Sequence, residues 1–134
     1  AADCATGPAD TSASVPPAID RDTIEQFREL DPNGSMALAA RILGIYAGSS
    51  SGVFAEVEHA VAAGDGARLR HAAHSLKSSS ANVGAMQLSA LFKKFEQLGK
   101  EDRVDDARTQ LDALRAEYAR ALDGIRALQL EFDT

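Results

Sequence analysis

The feature that most constrains the fold is an apolar pattern in the last part of the chain. From residue 104 to residue 128, apolar side chains recur at alternating intervals of three and four. This spacing places them on one face of an α-helix, as a seam for packing against near-parallel helices. No segment shows the sustained alternation that is typical of a strand. The seam consists of Val104, Ala107, Leu111, Leu114, Tyr118, Ala121, Ile125 and Leu128.

Two helices are predicted before residue 64. A short one begins at Asp22-Thr-Ile-Glu25, which resembles a capping box. The next is expected to have Ser35 as its N-cap and to run to about Ala63. The segment Gly48–Gly52 is weak helix, so we expect a kink or a break there. The residues expected to face inward are Ile24, Phe27 and Leu30 in the short helix, and Leu38, Ile42, Ile45, Val53, Val57 and Val61 in the longer one.

Two more helices are predicted between residues 65 and 99. Asp65 is expected to cap the third helix, which ends near Asn82 to Gly84, and the fourth helix is expected to end at Gly99. Their inward residues are Leu69, Ala72, Leu76, Ser80 and Val83 in the third, and Leu88, Leu91, Phe92, Phe95 and Leu98 in the fourth.

These segments predict an all-α fold. We expect an antiparallel up-down four-helix bundle with an additional short N-terminal helix, in which the helix after Val104 packs against the chain's own helices. A dimeric coiled coil through that seam is the alternative, and we expect a monomer. With 134 residues, no Trp and 5% aromatics, the chain should have one modest, aliphatic core. We assign residues 19–134 to the bundle and residues 1–18, rich in Ala, Ser, Thr and Pro, to a flexible linker or tail.

Charge and composition exclude several functions. The net charge of −6 argues against nucleic acid or an anionic membrane as the main partner. The apolar runs are too short to span a bilayer, and no signal peptide is visible. The single Cys4 is compatible with a reducing cytoplasm, where we expect the protein to act. The chain does not begin with Met, which is compatible with a fragment or a processed product.

His74 is the centre of the functional prediction. At about 100° per residue, the apolar residues of the third helix fall on one side, and His74 falls on the other. Lys77 follows one turn later, and the neighbours of the histidine at positions 78 and 81 are small. An imidazole in these surroundings can be reached by the active site of another protein. The exposed stripe consists of Arg70, His71, His74, Lys77, Ser78 and Ala81.

The segment His74-Ser-Leu-Lys-Ser78, with Gly84 ten positions after the histidine, resembles the signature of histidine phosphotransfer (HPt) domains. Ser78 stands where the family usually has glycine. The resemblance covers about Ile19 to Leu130. It implies a phosphocarrier in a multistep two-component phosphorelay, with response-regulator receiver domains as its partners. Such domains often form the C-terminal module of a bacterial hybrid sensor histidine kinase, which can tether them to the inner membrane. A freestanding protein is the alternative.

Histidine chemistry supports that role, because a neutral imidazole has a free lone pair that can attack phosphorus. We predict His74 as the phosphoacceptor and Lys77 as the residue that stabilises the charge of the phosphoryl group. No glycine-rich phosphate loop, Mg²⁺-type carboxylate cluster or nucleotide site is found, so we predict no kinase activity. Mg²⁺ is expected from the receiver. The resemblance implies that Glu96 bonds the other imidazole nitrogen and that Lys100 lies near the site. The predicted docking residues are His71, Ser78, Ala81, Gly84 and Lys100.

Other functions are compatible with parts of the same pattern. An HPt-like module that binds a receiver without carrying phosphate is the main alternative. A histidine-kinase dimerisation domain usually has a His-Glu pair and a following ATP-binding domain, whereas here Ser75 follows His74. His71 and His74 resemble a metal pair, but no third ligand has suitable spacing, so we predict no metal site. The serines at 78–80 resemble kinase substrates, although small packing residues explain them better.

Overall fold

In the part of the chain that the structure describes, the fold consists of five helices and contains no strand. The structure is a computed structural model that describes residues 18–31, 33–34 and 36–132. Most of the predicted linker, residues 1–17, and the predicted N-cap Ser35 lie outside these ranges. The helices are α1 (Arg21–Leu30), α2 (Ala37–Ala63), α3 (Gly66–Asn82), α4 (Met86–Lys100) and α5 (Val104–Phe132).

The four longer helices form an antiparallel bundle, which confirms the predicted fold. Each of these helices packs against two others, in the cyclic order α2, α3, α4, α5, and α1 packs against α2. The connections within the bundle are two or three residues long, which suits antiparallel neighbours. Neighbouring helices are antiparallel, because residue numbers rise along one helix while those of their contact partners fall along the next. The contacts are Tyr46 with Ser80 and Glu56 with Arg68 between α2 and α3, Ser50 with Tyr118 and Glu58 with Arg115 between α2 and α5, and Lys77 with Ser89 and His74 with Glu96 between α3 and α4.

The predicted inward faces of α3 and α5 are buried in one core. All eight residues of the α5 seam are at most 9% exposed. The five inward residues predicted for α3, including Ser80, are at most 5% exposed. In α4 the predicted face is buried except for Leu91, which is partly exposed. Because this core orients α3, the opposite face of that helix is turned to solvent.

The predicted inward face of α2 was partly wrong. Ile45 is 61% exposed, and the helix instead buries Tyr46 and Ser50 through its middle. The Tyr46 hydroxyl bonds that of Ser80, and the Ser50 hydroxyl bonds that of Tyr118. The apolar pattern of the sequence does not reveal this face, because Tyr46 and Ser50 carry hydroxyl groups. Both hydroxyls are hydrogen-bonded inside the core, which allows the two residues to be buried. The buried residues of α2 are Ala39, Leu43, Tyr46, Ser50, Phe54, Val57, Ala60 and Val61.

The middle of α2 also differs from the prediction. The helix continues from Ala37 to Ala63 without a break at Gly48–Gly52. Packing on α3 and α5 therefore outweighs the low helix propensity of glycine and serine in this segment. The helix ends as expected, with Gly64 in the left-handed conformation at φ 68°.

The N-cap of α3 agrees with the prediction, and that of α1 differs from it. Asp65 caps α3, since its carboxylate accepts a hydrogen bond from the backbone N–H of Arg68 at 3.1 Å. The N-cap of α1 is Asp20 rather than Asp22, so this helix begins before the predicted capping box. Leu30, at its other end, is 72% exposed rather than inward. The short α1 thus contributes mainly Ile24 to the core.

Gly99 does not end α4, which continues to Lys100. A Cβ atom on Gly99 would lie 2.6 Å from the carbonyl oxygen of Gly66, and one on Gly66 would lie 2.8 Å from that of Gly99. Both distances are too short for a real contact, so the glycines let the start of α3 and the end of α4 meet backbone to backbone. This close approach brings α4 alongside the exposed face of α3.

Among the described residues, none of the helices combines the length and the apolar character that a bilayer crossing requires.

Candidate functional site

His74 lies on α3 with its side chain 61% exposed, and one edge of its ring is held by α4. The Nδ1 atom lies 2.8 Å from Oε2 of Glu96. The two residues are 22 positions apart in sequence. The structure thus places Glu96 where the expected hydrogen bond to the imidazole requires it, while its role in phosphoryl transfer stays a prediction.

Glu96 is shared between His74 and Lys77. The Lys77 ammonium donates a hydrogen bond to Oε1 of Glu96 at 2.7 Å, so each carboxylate oxygen has its own donor. The hydrogen bond from Lys77 is the main cause that lowers the pKa of Glu96, and the bond from His74 adds to it, while partial burial opposes both. Glu96 is therefore a carboxylate at neutral pH.

This arrangement selects one tautomer of His74. A carboxylate can only accept hydrogen bonds, so the nitrogen that faces Glu96, Nδ1, must carry the hydrogen. In the neutral ring, Nε2 then has the lone pair. The structure gives this nitrogen no hydrogen-bond partner within the described ranges. The site therefore holds Nδ1 against a negative charge and leaves Nε2, on a side chain that is mostly exposed, free of any such bond.

A groove of about 300 Å³ adjoins the ring on its N-terminal side. It lies between α3 and α4. Its walls are Ala67, Arg70, His71, His74 and Glu96. The groove is open and shallow, which suits a small charged group delivered by another protein rather than a buried ligand.

Four of the predicted docking residues are accessible from solvent. His71, Ser78 and Lys100 are exposed, and Ala81 is partly exposed. His71, Ser78 and Ala81 lie on the His74 side of α3, and Lys100 lies one turn after Glu96 on α4. Among them, His71 lines the same groove as the His74 ring, and the part of all four in docking stays a prediction.

Gly84, the fifth predicted docking residue, lies in the turn between α3 and α4, and its part in docking stays a prediction. It is buried, its φ is 84°, and its carbonyl oxygen accepts a hydrogen bond from the backbone N–H of Asp20 at 2.8 Å. A Cβ atom there would lie 3.0 Å from the carbonyl oxygen of Asp20. Glycine at this position is thus explained by the turn between α3 and α4 and by its packing against the start of α1.

The three serines after Lys77 have different environments. Ser78 is exposed, Ser79 is partly exposed, and Ser80 is fully buried with its hydroxyl bonded to Tyr46. Ser80 is therefore a core residue, as its phase on the helix predicted.

Two residues beside the site, Arg70 and Ser89, were not predicted as site residues. Arg70 lines the groove one turn before His74, and its place on the exposed stripe was the signal available for it. Ser89, on α4, donates a hydrogen bond to the carbonyl oxygen of Lys77 at 2.8 Å, which ties the two helices together beside the site. No periodic pattern marks this residue. Within the described residues, no group of three or more His, Cys, Asp or Glu has the geometry of a metal site.

A family model described as Hpt domain matches residues 41–124, which is more than half of the 134 residues. The matched segment begins within α2 and ends within α5, and it includes His74, Lys77 and Glu96. Searches of the curated proteins and of the solved structures found no match.

Proposed function

The chain belongs to the Hpt domain family, and from that premise we propose that His74 carries a phosphoryl group between receiver domains of a multistep phosphorelay. Hpt domains are histidine phosphotransfer modules that act as phosphocarriers rather than kinases and interact with receiver domains. The observation that carries the proposal is the exposed His74 side chain, whose Nδ1 is hydrogen-bonded to a carboxylate and whose Nε2 has no hydrogen-bond partner among the described residues.

The transfer step follows from this geometry. The lone pair of Nε2 attacks the phosphorus of a receiver's aspartyl phosphate, and a new N–P bond forms. The acyl P–O bond breaks, and its electron pair leaves with the aspartate carboxylate. The proton stays on Nδ1, so the phosphorylated ring bears a positive charge beside Glu96. The carboxylate stabilises that charge, and the reverse sequence passes the phosphoryl group to the next receiver.

The metal ion that phosphoryl transfer requires is expected to come from the partner protein. We expect Mg²⁺ to be held by the acidic pocket of the receiver, where it offsets the negative charge of the phosphoryl oxygens. The proposed encounter takes place in the cytoplasm, whether the domain is freestanding or part of a sensor kinase. The exposed surface around His74, with Ser78 and Ala81 as small residues, offers room for such a partner.

A direct labelling experiment tests the proposal. The protein is mixed with Mg²⁺ and phosphorylated receivers, and acid-labile, base-stable phosphate is measured on it. We expect label on the wild type and on His59→Gln, the matched control at an exposed histidine of α2, but none on His74→Gln. Circular dichroism should be unchanged in both variants, because both side chains are exposed.

Two outcomes would contradict the proposal. Label retained on His74→Gln would place the phosphoacceptor elsewhere. Binding to a receiver without any label on the wild type would favour the non-catalytic interaction module.

A further inference from the structure

The charge of Lys77 is already engaged in the unphosphorylated site. Its ammonium lies 2.7 Å from Oε1 of Glu96, and the side chain is only 29% exposed. The hydrogen bond from Lys77 is also the largest cause of the lowered pKa of Glu96, which shows how closely the two charges are coupled. Turning Lys77 toward a phosphoryl group on Nε2 of His74 would leave Glu96 with only the imidazole as a partner.

Arg70 is a second cation beside the ring. It lies four residues before His74 on α3 and lines the same groove of about 300 Å³. Within the described residues its side chain has no hydrogen bond or ion pair, whereas the side chain of Arg68, two positions earlier, binds Glu56. Helical side chains lean toward the N-terminal end of their helix, so the His74 ring leans toward the turn that carries Arg70.

We propose that Arg70 binds the phosphoryl group carried on Nε2 of His74. The guanidinium would donate two parallel N–H hydrogen bonds to phosphoryl oxygens, the geometry in which arginine binds phosphate. Arg70 keeps all of its protons, and the bonds made and broken are those of the transfer described above. This inference rests on the proposed phosphocarrier function.

The role of Lys77 changes accordingly. It becomes a positioning residue, which acts on His74 through Glu96 instead of contacting the phosphoryl group. The two cations of the site then have different roles. Lys77 holds the carboxylate of Glu96 on the Nδ1 side of the ring, and Arg70 binds the phosphoryl group on the Nε2 side.

The test compares Arg70→Gln with Arg68→Gln, which removes the same charge from the same helix but on a different face. Each protein is equilibrated with a phosphorylated receiver, and the ratio of phosphorylated domain to phosphorylated receiver is measured. We expect Arg70→Gln to lower that ratio by about threefold to tenfold, the range for a partly exposed charge-assisted contact. Arg68→Gln should leave it near the wild-type value, and Arg70→Lys should restore part of it.

A second measurement separates phosphoryl contact from docking. The affinity of each unphosphorylated variant for the unphosphorylated receiver is measured, and we expect Arg70→Gln to leave it within about twofold of the wild type. If affinity falls while the equilibrium ratio is unchanged, Arg70 is a docking residue and the inference is overturned. An unchanged ratio and affinity would overturn it as well. A wild-type protein that takes no label contradicts the phosphocarrier proposal itself.

Discussion

The carboxylate of Glu96 fixes the orientation and the tautomer of the His74 ring. Glu96 accepts hydrogen bonds from the imidazole and from Lys77, and it belongs to a different helix from both. Because it is ionised and bonded to Nδ1, the ring cannot rotate or change tautomer without losing a charge-assisted hydrogen bond. A carboxylate behind the histidine would also favour the positive charge that the ring acquires in the proposed phosphorylation.

Glu96→Gln should slow phosphoryl transfer. The amide oxygen can still accept from Nδ1, but the negative charge behind the ring is lost, and Lys77 loses its ion-pair partner. We expect a fall of about tenfold in the rate of transfer from a receiver, the lower end of the effect of such outer partners. The rate is measured by rapid-quench labelling. Glu101→Gln, at the exposed end of the same α4 region, is the control. Equal rates in Glu96→Gln and wild type would remove the role assigned to the carboxylate.

The stabilising effect of Glu96 should depend on pH. Its pKa is lowered in the folded protein, chiefly by Lys77, from an ordinary value of 4.5. A depressed folded pKa means that the stabilisation is present above the unfolded pKa and is lost as the pH falls through the folded one. The difference in unfolding free energy between wild type and Glu96→Gln should therefore be larger at pH 7 than at pH 3. Urea unfolding at the two pH values measures it, and a difference that grows in acid would contradict the assignment.

At the scale of elements, the contact between α3 and α4 determines the distance between Glu96 and His74. Gly66 and Gly99 bring the two backbones together at one end. The bond from Ser89 to the Lys77 carbonyl oxygen ties them further along. Glu96 lies between these two contacts, three residues before Gly99, so the helix spacing determines whether its carboxylate reaches His74.

Gly99→Ala should separate these helices. The added methyl group would meet the carbonyl oxygen of Gly66 at 2.6 Å and the backbone nitrogen of Arg70 at 2.7 Å, and neither is a flexible side chain. We expect a loss of about 2 kcal/mol in unfolding free energy, together with slower phosphoryl transfer because Glu96 moves away from His74. Urea unfolding and labelling measure the two effects.

Gly48→Ala is the matched control for that substitution. Gly48 lies inside α2, and nothing lies within 4 Å of where its Cβ would be. Because alanine has the higher helix propensity, we expect stability to rise by about 0.5–1 kcal/mol with transfer unchanged. Equal effects of the two substitutions would show that the close contact at Gly99 is unimportant.

At the scale of the whole molecule, positive charge is concentrated on the hairpin of α3 and α4. Residues 66–100 contain six of the 14 basic residues but only one of the 20 acidic ones, Glu96. The remainder of the chain has eight basic and nineteen acidic residues. The protein is therefore acidic overall but basic on the side that carries His74. The exposed cations of this hairpin are Arg68, Arg70, Lys93, Lys94 and Lys100.

This asymmetry predicts that capture of a receiver depends on salt. An acidic receiver pocket should be attracted to the basic hairpin and repelled by the rest of the surface, and salt screens both effects. We expect the association rate to fall about fivefold or more between about 0.02 M and 0.5 M ionic strength. Stopped-flow mixing with a receiver measures it. The double variant Lys93→Gln, Lys100→Gln should have a weaker salt dependence, and Arg126→Gln on α5 is the control. A rate that is independent of salt would contradict electrostatic steering.

Much of the fold could be predicted because it depends on local patterns. The α5 seam and the inward face of α3 were correct, since each is one uninterrupted apolar stripe. The predicted inward face of α2 was wrong in its middle. Tyr46 and Ser50 are core residues because their hydroxyls form hydrogen bonds with those of Ser80 and Tyr118 on other helices. Burial raises the pKa of Tyr46 to about 12, which reflects how fully that phenol is enclosed. Such pairs cannot be recognised from one helix alone.

The amino-acid sequence by itself determined the helices and the exposure of His74, because the phase of a helix follows from the order of its own residues. Only the tertiary structure decided which groups meet at that histidine. Glu96 is 22 residues from His74 and 19 from Lys77, and their contact depends on how far α4 slides along α3. That register is set by the backbone contact at Gly66 and Gly99 and by side chains packed between the helices. The periodicity of a single helix contains no information about it, so the hydrogen bond between Lys77 and Glu96 could not be foreseen from the sequence.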